Sequence, residues 1–99
     1  MDIAYSIDNV PIRLTAERWF HIVENHDEMA GHYESVLTTV EDPDFVLRGQ
    51  RGSLIAVQGQ GKRRYLKVIY RQLTEQDGFV ITAFFASKIE RTRILWRKH

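Results

Sequence analysis

The chain has no cysteine among its 99 residues. That absence removes disulfide frameworks, thiol nucleophiles, thiolate zinc sites and iron–sulfur clusters, and it suits a reducing compartment such as the cytoplasm. Long apolar runs are missing as well, since nothing approaches the roughly 20 residues of a membrane helix. The start Met1-Asp2-Ile3 has neither the basic nor the apolar region of a secretory signal. A cytoplasmic protein without a membrane span is the expectation. Internal repeats, low-complexity tracts and linker-like stretches are also lacking, so residues 1–99 are expected to form a single domain. At 43% hydrophobic and 11% aromatic, the chain holds enough apolar material for an ordinary core.

What is present is charge, and it is sorted along the chain. Fourteen Lys and Arg against thirteen Asp and Glu leave a formal net charge of +1. Up to Asp44 there are ten acids and two bases, and from Phe45 onward three acids and twelve bases, giving halves of −8 and +9. Such an asymmetry points to a nucleic-acid or acidic-partner surface carried by the basic half.

The pattern of apolar residues predicts helices first and strands afterwards. Ile7 to Leu14, interrupted by Pro11, suits an edge strand or extended lead-in. Thr15 is placed to cap a helix with Glu17 in its first turn. Trp19, Ile22, Val23 and His26 then share one face at i, i+3, i+4 and i+7, whereas His21 lies on the opposite side with Arg18, Glu17 and Asn25. Glu28 to Glu41 reads as a second helix with Ala30, Tyr33, Val36, Leu37 and Val40 as its stripe, ended by Asp42-Pro43-Asp44. Beyond it the period falls to two, predicting strands near 45–49, 53–58, 64–72 and 79–87 and a weaker one at 94–97. The domain is therefore expected to be α+β, with two N-terminal helices packed on one face of an antiparallel sheet. In the third strand Leu66, Val68 and Tyr70 should meet the helices while Tyr65, Lys67, Ile69 and Arg71 face away. Strict alternation in the fourth groups Phe79, Ile81, Ala83, Phe85 and Ser87 against Val80, Thr82, Phe84 and Ala86.

Leu14-Thr15-Ala16-Glu17-Arg18-Trp19-Phe20-His21-Ile22, followed by Glu24-Asn25-His26-Asp27-Glu28, resembles the opening signature of phage- and cyanobacteria-associated nuclease-like domains. These belong to the barnase, EndoU, colicin and RelE (BECR) fold group. The likeness continues through Pro43-Asp44, Tyr65-Leu66-Lys67-Val68, Ile81-Thr82-Ala83-Phe84 and Ile94-Leu95-Trp96, and departs at Asp27, where the family has proline. It implies a helix pair on a four-stranded antiparallel sheet, RelE-like in outline. The implied activity is a metal-independent endoribonuclease, often a toxin, in which the 2′-hydroxyl of RNA attacks the adjacent phosphate. Such a toxin needs restraint, so a small antitoxin protein is the expected partner beside the RNA substrate, and no cofactor is expected.

That chemistry calls for a base, an acid and cationic donors for the charge on phosphate. His21 is the first candidate for proton transfer, because it matches the signature, lies opposite the main apolar stripe and is of the residue type most used as a general acid or base. His26 is the second, although its place on the apolar stripe also suits a packing role. Lys67 is the candidate phosphate stabiliser, working with Arg64. Tyr65, Thr82 and Ser87 are candidates to orient substrate, although strands carry threonine for packing reasons too. Arg18, Arg71 and the Lys62-Arg63-Arg64 hairpin tip are candidates to bind RNA, the tip doubling as a solvated turn. No metal site is expected, since His21 and His26 are five residues apart and about 140° around the helix. A non-catalytic RNA- or protein-binding module on the same scaffold is the alternative function.

Overall fold

A computed structural model describes residues 1–99. It shows two helices and one seven-stranded mixed sheet. Strands β1 (Asp2–Tyr5) and β2 (Pro11–Leu14) come first, followed by helices α1 (Ala16–Asn25) and α2 (Tyr33–Glu41). Then come β3 (Phe45–Arg48), β4 (Leu54–Gly59), β5 (Tyr65–Thr74), β6 (Asp77–Ala86) and β7 (Ile94–Arg97). The sheet order is β1-β2-β6-β5-β4-β3-β7. Every neighbouring pair is antiparallel except β2 and β6.

This corrects the expected four-stranded antiparallel sheet with N-terminal helices. The helices are inserted between β2 and β3, behind an N-terminal hairpin. Strand β1 lies outside the stretch read as extended, and the parallel contact of β2 with β6 joins residues too far apart for local patterning to reveal. The expected helix from Glu28 to Glu41 is also shorter. A 3-10 turn at Asp27–Met29 precedes α2, and Gly31 between them has φ +85°, a conformation no helix continues through. Ala30, assigned to the apolar stripe, is exposed. The start of α1 is as read, with Thr15 Oγ1 accepting a hydrogen bond from the Arg18 amide at 3.1 Å, while His26, read as part of its stripe, caps the end just beyond Asn25.

The helices pack on one face of the sheet, α2 over β4 and β5 and against β1, with α1 alongside β6. Ile22 from α1, Met29 from the turn and Val36 and Val40 from α2 meet Ala56, Leu66, Val68, Tyr70, Val80 and Ala83 from the strands. Tyr33 extends the contact to β1, its hydroxyl donating to Asp2 Oδ2 at 2.6 Å. Burial above all, then that hydrogen bond, pushes the Tyr33 phenol up to about 12. Tyr70 is fully buried and its hydroxyl has no partner; burial keeps it protonated well above the ordinary tyrosine range. No helix is long and apolar enough to cross a membrane.

The parallel contact is short, pairing Ile12 with Gly78 and Arg13 with Phe79. Arg13 secures it with a two-pronged bond to Asp77, Nε to Oδ1 at 2.8 Å and Nη2 to Oδ2 at 3.2 Å. Gly78 has to be glycine, because a Cβ there would stand 2.6 Å from both the Arg71 carbonyl oxygen and Ile12 Cδ1. Gly78→Ala is therefore expected to lower stability by about 1–3 kcal/mol through overpacking, measured by urea unfolding. The hydrogen bonds from Arg13, followed by its charge, hold the Asp77 carboxyl below the usual carboxylate range against an opposing desolvation. A depressed acid stabilises above its unfolded pKa, and the contribution disappears as pH falls through the folded value. Arg13→Met should accordingly flatten the acid end of the stability profile below about pH 4, and an unchanged profile would show that the pair contributes nothing.

Candidate nucleic-acid interface

Directly opposed residues in an antiparallel pair share a face, which places the candidate residues on β5 and β6. Leu66, Val68 and Tyr70 are buried toward the helices while Tyr65, Lys67, Ile69 and Arg71 are half-buried on the other side, as their alternation predicts. Opposite them stand Ala86, Phe84, Thr82 and Phe79 respectively. The alternation of β6 breaks at a bulge: Ile69 pairs with Thr82 but Tyr70 pairs with Val80, which leaves Ile81 as the extra residue. Phe79 thus lies on the Arg71 side rather than with Ala83, contrary to strict alternation.

The helix-free face is partly covered. Strand β6 ends with Ala86 beside Tyr65 at one end of β5. The chain then crosses to the opposite end, where Arg93 donates from Nε to the Arg48 carbonyl at 2.8 Å and from Nη2 to the Gly49 carbonyl at 3.2 Å. Residues 87–93 form a strap over the face, on which Leu47 and Val57 are buried. Between the strap, the β3–β4 turn and β5 lies a cleft of about 510 Å³. Its floor is Leu47, Ile55, Ile69 and Ile81, and its walls carry Arg51, Lys67, Arg71 and Arg93 against a single acid, Glu90. Arg48 borders the cleft from the end of β3, where it pairs with Leu54, opposite Tyr70 on the helix side. Glu90 stands 3.9 Å from Arg93. Lys67, Arg71, Arg48 and Arg51 take part in no ion pair. An apolar floor with unpaired cations around it is suited to an anionic ligand that also carries flat apolar surface.

Helix α1 borders this face. Strand β2 covers only the start of β6, so the β6 edge beyond Phe79 is free for the helix, and Arg18 Nη1 donates to the Ile81 carbonyl at 3.4 Å. Further along, the His26 ring rests on Phe84, with centroids 5.4 Å apart and planes at 30°. Because Phe84 is the cross-strand partner of Lys67, His26, Phe84 and Lys67 form a row across β6. His21 lies between Arg18 and His26 on α1, half-exposed, with Nδ1 3.4 Å from Glu24 Oε1. His26 Nδ1 is 3.9 Å from Glu28 Oε2.

The remaining candidates are dispersed. Arg64 does not join Lys67: its guanidinium lies 4.0 Å over the Phe85 ring, whose strand neighbour Leu66 faces the helices. Lys62 and Arg63 are exposed at the β4–β5 tip, at the other end of β4 from the Arg51 turn. Ser87 is exposed where the strap begins. His32 packs edge-on against Phe85 at 5.1 Å. No group of three or more His, Asp and Glu residues converges to hold a metal ion. Arg48, Arg51, Glu90 and Arg93 escaped the sequence reading because the first two flank a turn and the last two sit on a strap that no periodicity marks. The excess of bases after Phe45 was their only signal. No family model, curated protein or solved structure matches the chain.

Proposed function

We propose that the protein binds RNA across the helix-free face of its sheet and cleaves it as an endoribonuclease at the row formed by Lys67, Phe84 and His26. The observation that carries this reading is the unpaired cation cluster, continuous through Lys67 with an aromatic ring and a histidine. Lys67 holds the phosphate that reacts and Arg71 one further along the strand, Phe84 and Tyr65 give bases a surface to stack on, and Thr82 offers a hydroxyl on the same face. The histidines of α1, His26 on Phe84 and His21 before it, supply proton transfer. One group removes the proton from the 2′-hydroxyl as O2′ bonds to phosphorus. Another protonates the departing 5′-oxygen as its bond to phosphorus breaks, leaving a 2′,3′-cyclic phosphate and a 5′-hydroxyl. Cationic side chains act where charge develops on the phosphoryl oxygens.

The toxin role and a small antitoxin rest on the resemblance to nuclease-like toxins, which opens at residues 14–28 and continues through the strands, and the cytoplasmic setting rests on the lack of cysteine and of a secretory signal. An acidic antitoxin would complement the same basic cleft. A second reading is a non-catalytic RNA-binding module, favoured by one observation: neither histidine lines the cleft that holds the cations.

Purified protein incubated with single-stranded RNA in EDTA is expected to yield cyclic-phosphate ends. Lys67→Met should lower kcat by about 100- to 1000-fold, and His26→Ala or His21→Ala by about 100-fold or more for whichever histidine moves the proton. Salt-sensitive binding with no cleavage would establish the second reading instead. RNA that neither binds nor breaks would overturn both.

A further inference from the structure

We infer that the turn between β3 and β4 is a second phosphate subsite, which grips a flanking nucleotide of a single-stranded RNA away from the bond that reacts. The inference rests on the RNA reading above and deepens it by specifying an extended single strand as the substrate. Lys67 and Arg71 are four residues apart on β5, about 13 Å along the strand, more than one nucleotide step. Arg51 stands on the turn at the Arg71 end of the cleft, so a phosphate held there belongs to a different nucleotide from one held at Lys67.

The turn is built rather than loose. The Gly49 amide donates to the Ser53 carbonyl at 2.9 Å, and the Ser53 amide and hydroxyl both donate to the Gln50 carbonyl, at 3.0 and 2.7 Å. From outside, Arg93 clamps the Arg48 and Gly49 carbonyls, which makes it a positioning residue for this wall. Arg51 adopts φ +54°, a left-handed conformation that glycine takes more easily than any residue with a side chain. Arginine there presents a cation on the cleft wall at a conformational cost, and no carboxylate in the protein pairs with it. A single strand fits better than a duplex because the floor of Leu47, Ile55, Ile69 and Ile81 offers apolar contact to an unstacked base, which a paired base cannot accept.

The test exploits that conformation. Arg51→Gly removes the charge while relieving the backbone, so its melting temperature should equal or exceed that of the parent. Binding of a fully 2′-O-methylated dodecanucleotide, which lacks the attacking hydroxyl, is measured by fluorescence anisotropy across a salt series. Arg51→Gly should weaken binding and lower the slope of log K against log salt by roughly 0.7, one phosphate contact on a single strand. Lys98→Gln removes the same charge at a residue paired with Asp42, outside the cleft, and should leave the slope unchanged. A slope for Arg51→Gly that matches that of Lys98→Gln overturns the inference. So does a duplex of the same sequence binding as tightly as the single strand. A slope that shifts as expected in a protein that never cuts RNA would sustain this subsite and reject cleavage alone. An absence of any binding would reject both.

Discussion

The contact on which the arrangement depends is the two-residue parallel pairing of Ile12 and Arg13 with Gly78 and Phe79. It fastens the N-terminal hairpin to the sheet, and its brevity matters as much as its existence. Because β2 stops at Leu14 and Thr15 turns the chain into α1, the rest of the β6 edge is left without a strand. An exposed edge invites pairing with another chain, and here the helix lies along it instead, with Arg18 at the Ile81 carbonyl. The same placement brings His26 onto Phe84. A longer β2 would have paired the edge and pushed α1, with its histidines, away from the face that holds Lys67.

The second organising feature is the bulge at Ile81. In an unbroken ladder Phe79 and Ala83 would share a face, and one of them would be misplaced, a phenylalanine in the crowded core or an alanine outside it. The extra residue lets Val80 and Ala83 both enter the core while Phe79, Thr82 and Phe84 stay beside Arg71, Ile69 and Lys67. It also turns Ile81 into the cleft floor. Bulges next to functional surfaces re-aim side chains in this way, and this one aligns the aromatic residues of β6 with the cations of β5.

What the sequence revealed and what it hid divide along the distance over which the information acts. The Thr15 cap, the stop at Asp42-Pro43, the C-terminal strands and the outward set Tyr65, Lys67, Ile69 and Arg71 are local, set by capping chemistry and a period of two, and all were legible. The parallel contact and the strap depend on residues dozens of positions apart, and no local period encodes them; the β1–β2 hairpin is local, but its four-residue strands are too short to show a period. Gly31 was legible in principle, since a glycine inside a helical pattern signals a break, but the stripe on either side masked it. The site shows the same split. Lys67 and Arg71 followed from alternation, whereas Arg64 was assigned to the same group because it is near in sequence, and its stacking on Phe85 removes it.

The sorted charge acquires a physical meaning on this fold. Six of the ten acids of the first half, Glu17, Glu24, Asp27, Glu28, Glu34 and Glu41, sit on α1, α2 and the turn between them, while Arg51, Lys67, Arg71 and Arg93 converge on the opposite side of the sheet around one acid. Like charges gathered in a cleft repel one another, and at physiological salt screening acts over about 8 Å, too far to cancel repulsion between neighbours on one wall. Low-dielectric walls sharpen the field further. A fold seeking only stability would interleave these bases with the acids that the helices carry in excess. Keeping them apart costs stability in the free protein, a cost that the proposed binding of a polyanion would offset, because each neutralised phosphate releases its counterions and relieves the mutual repulsion together. The separation of acids and bases along the chain is thus the sequence form of a two-sided molecule, with helices that carry the acids and a sheet face that carries unpaired bases.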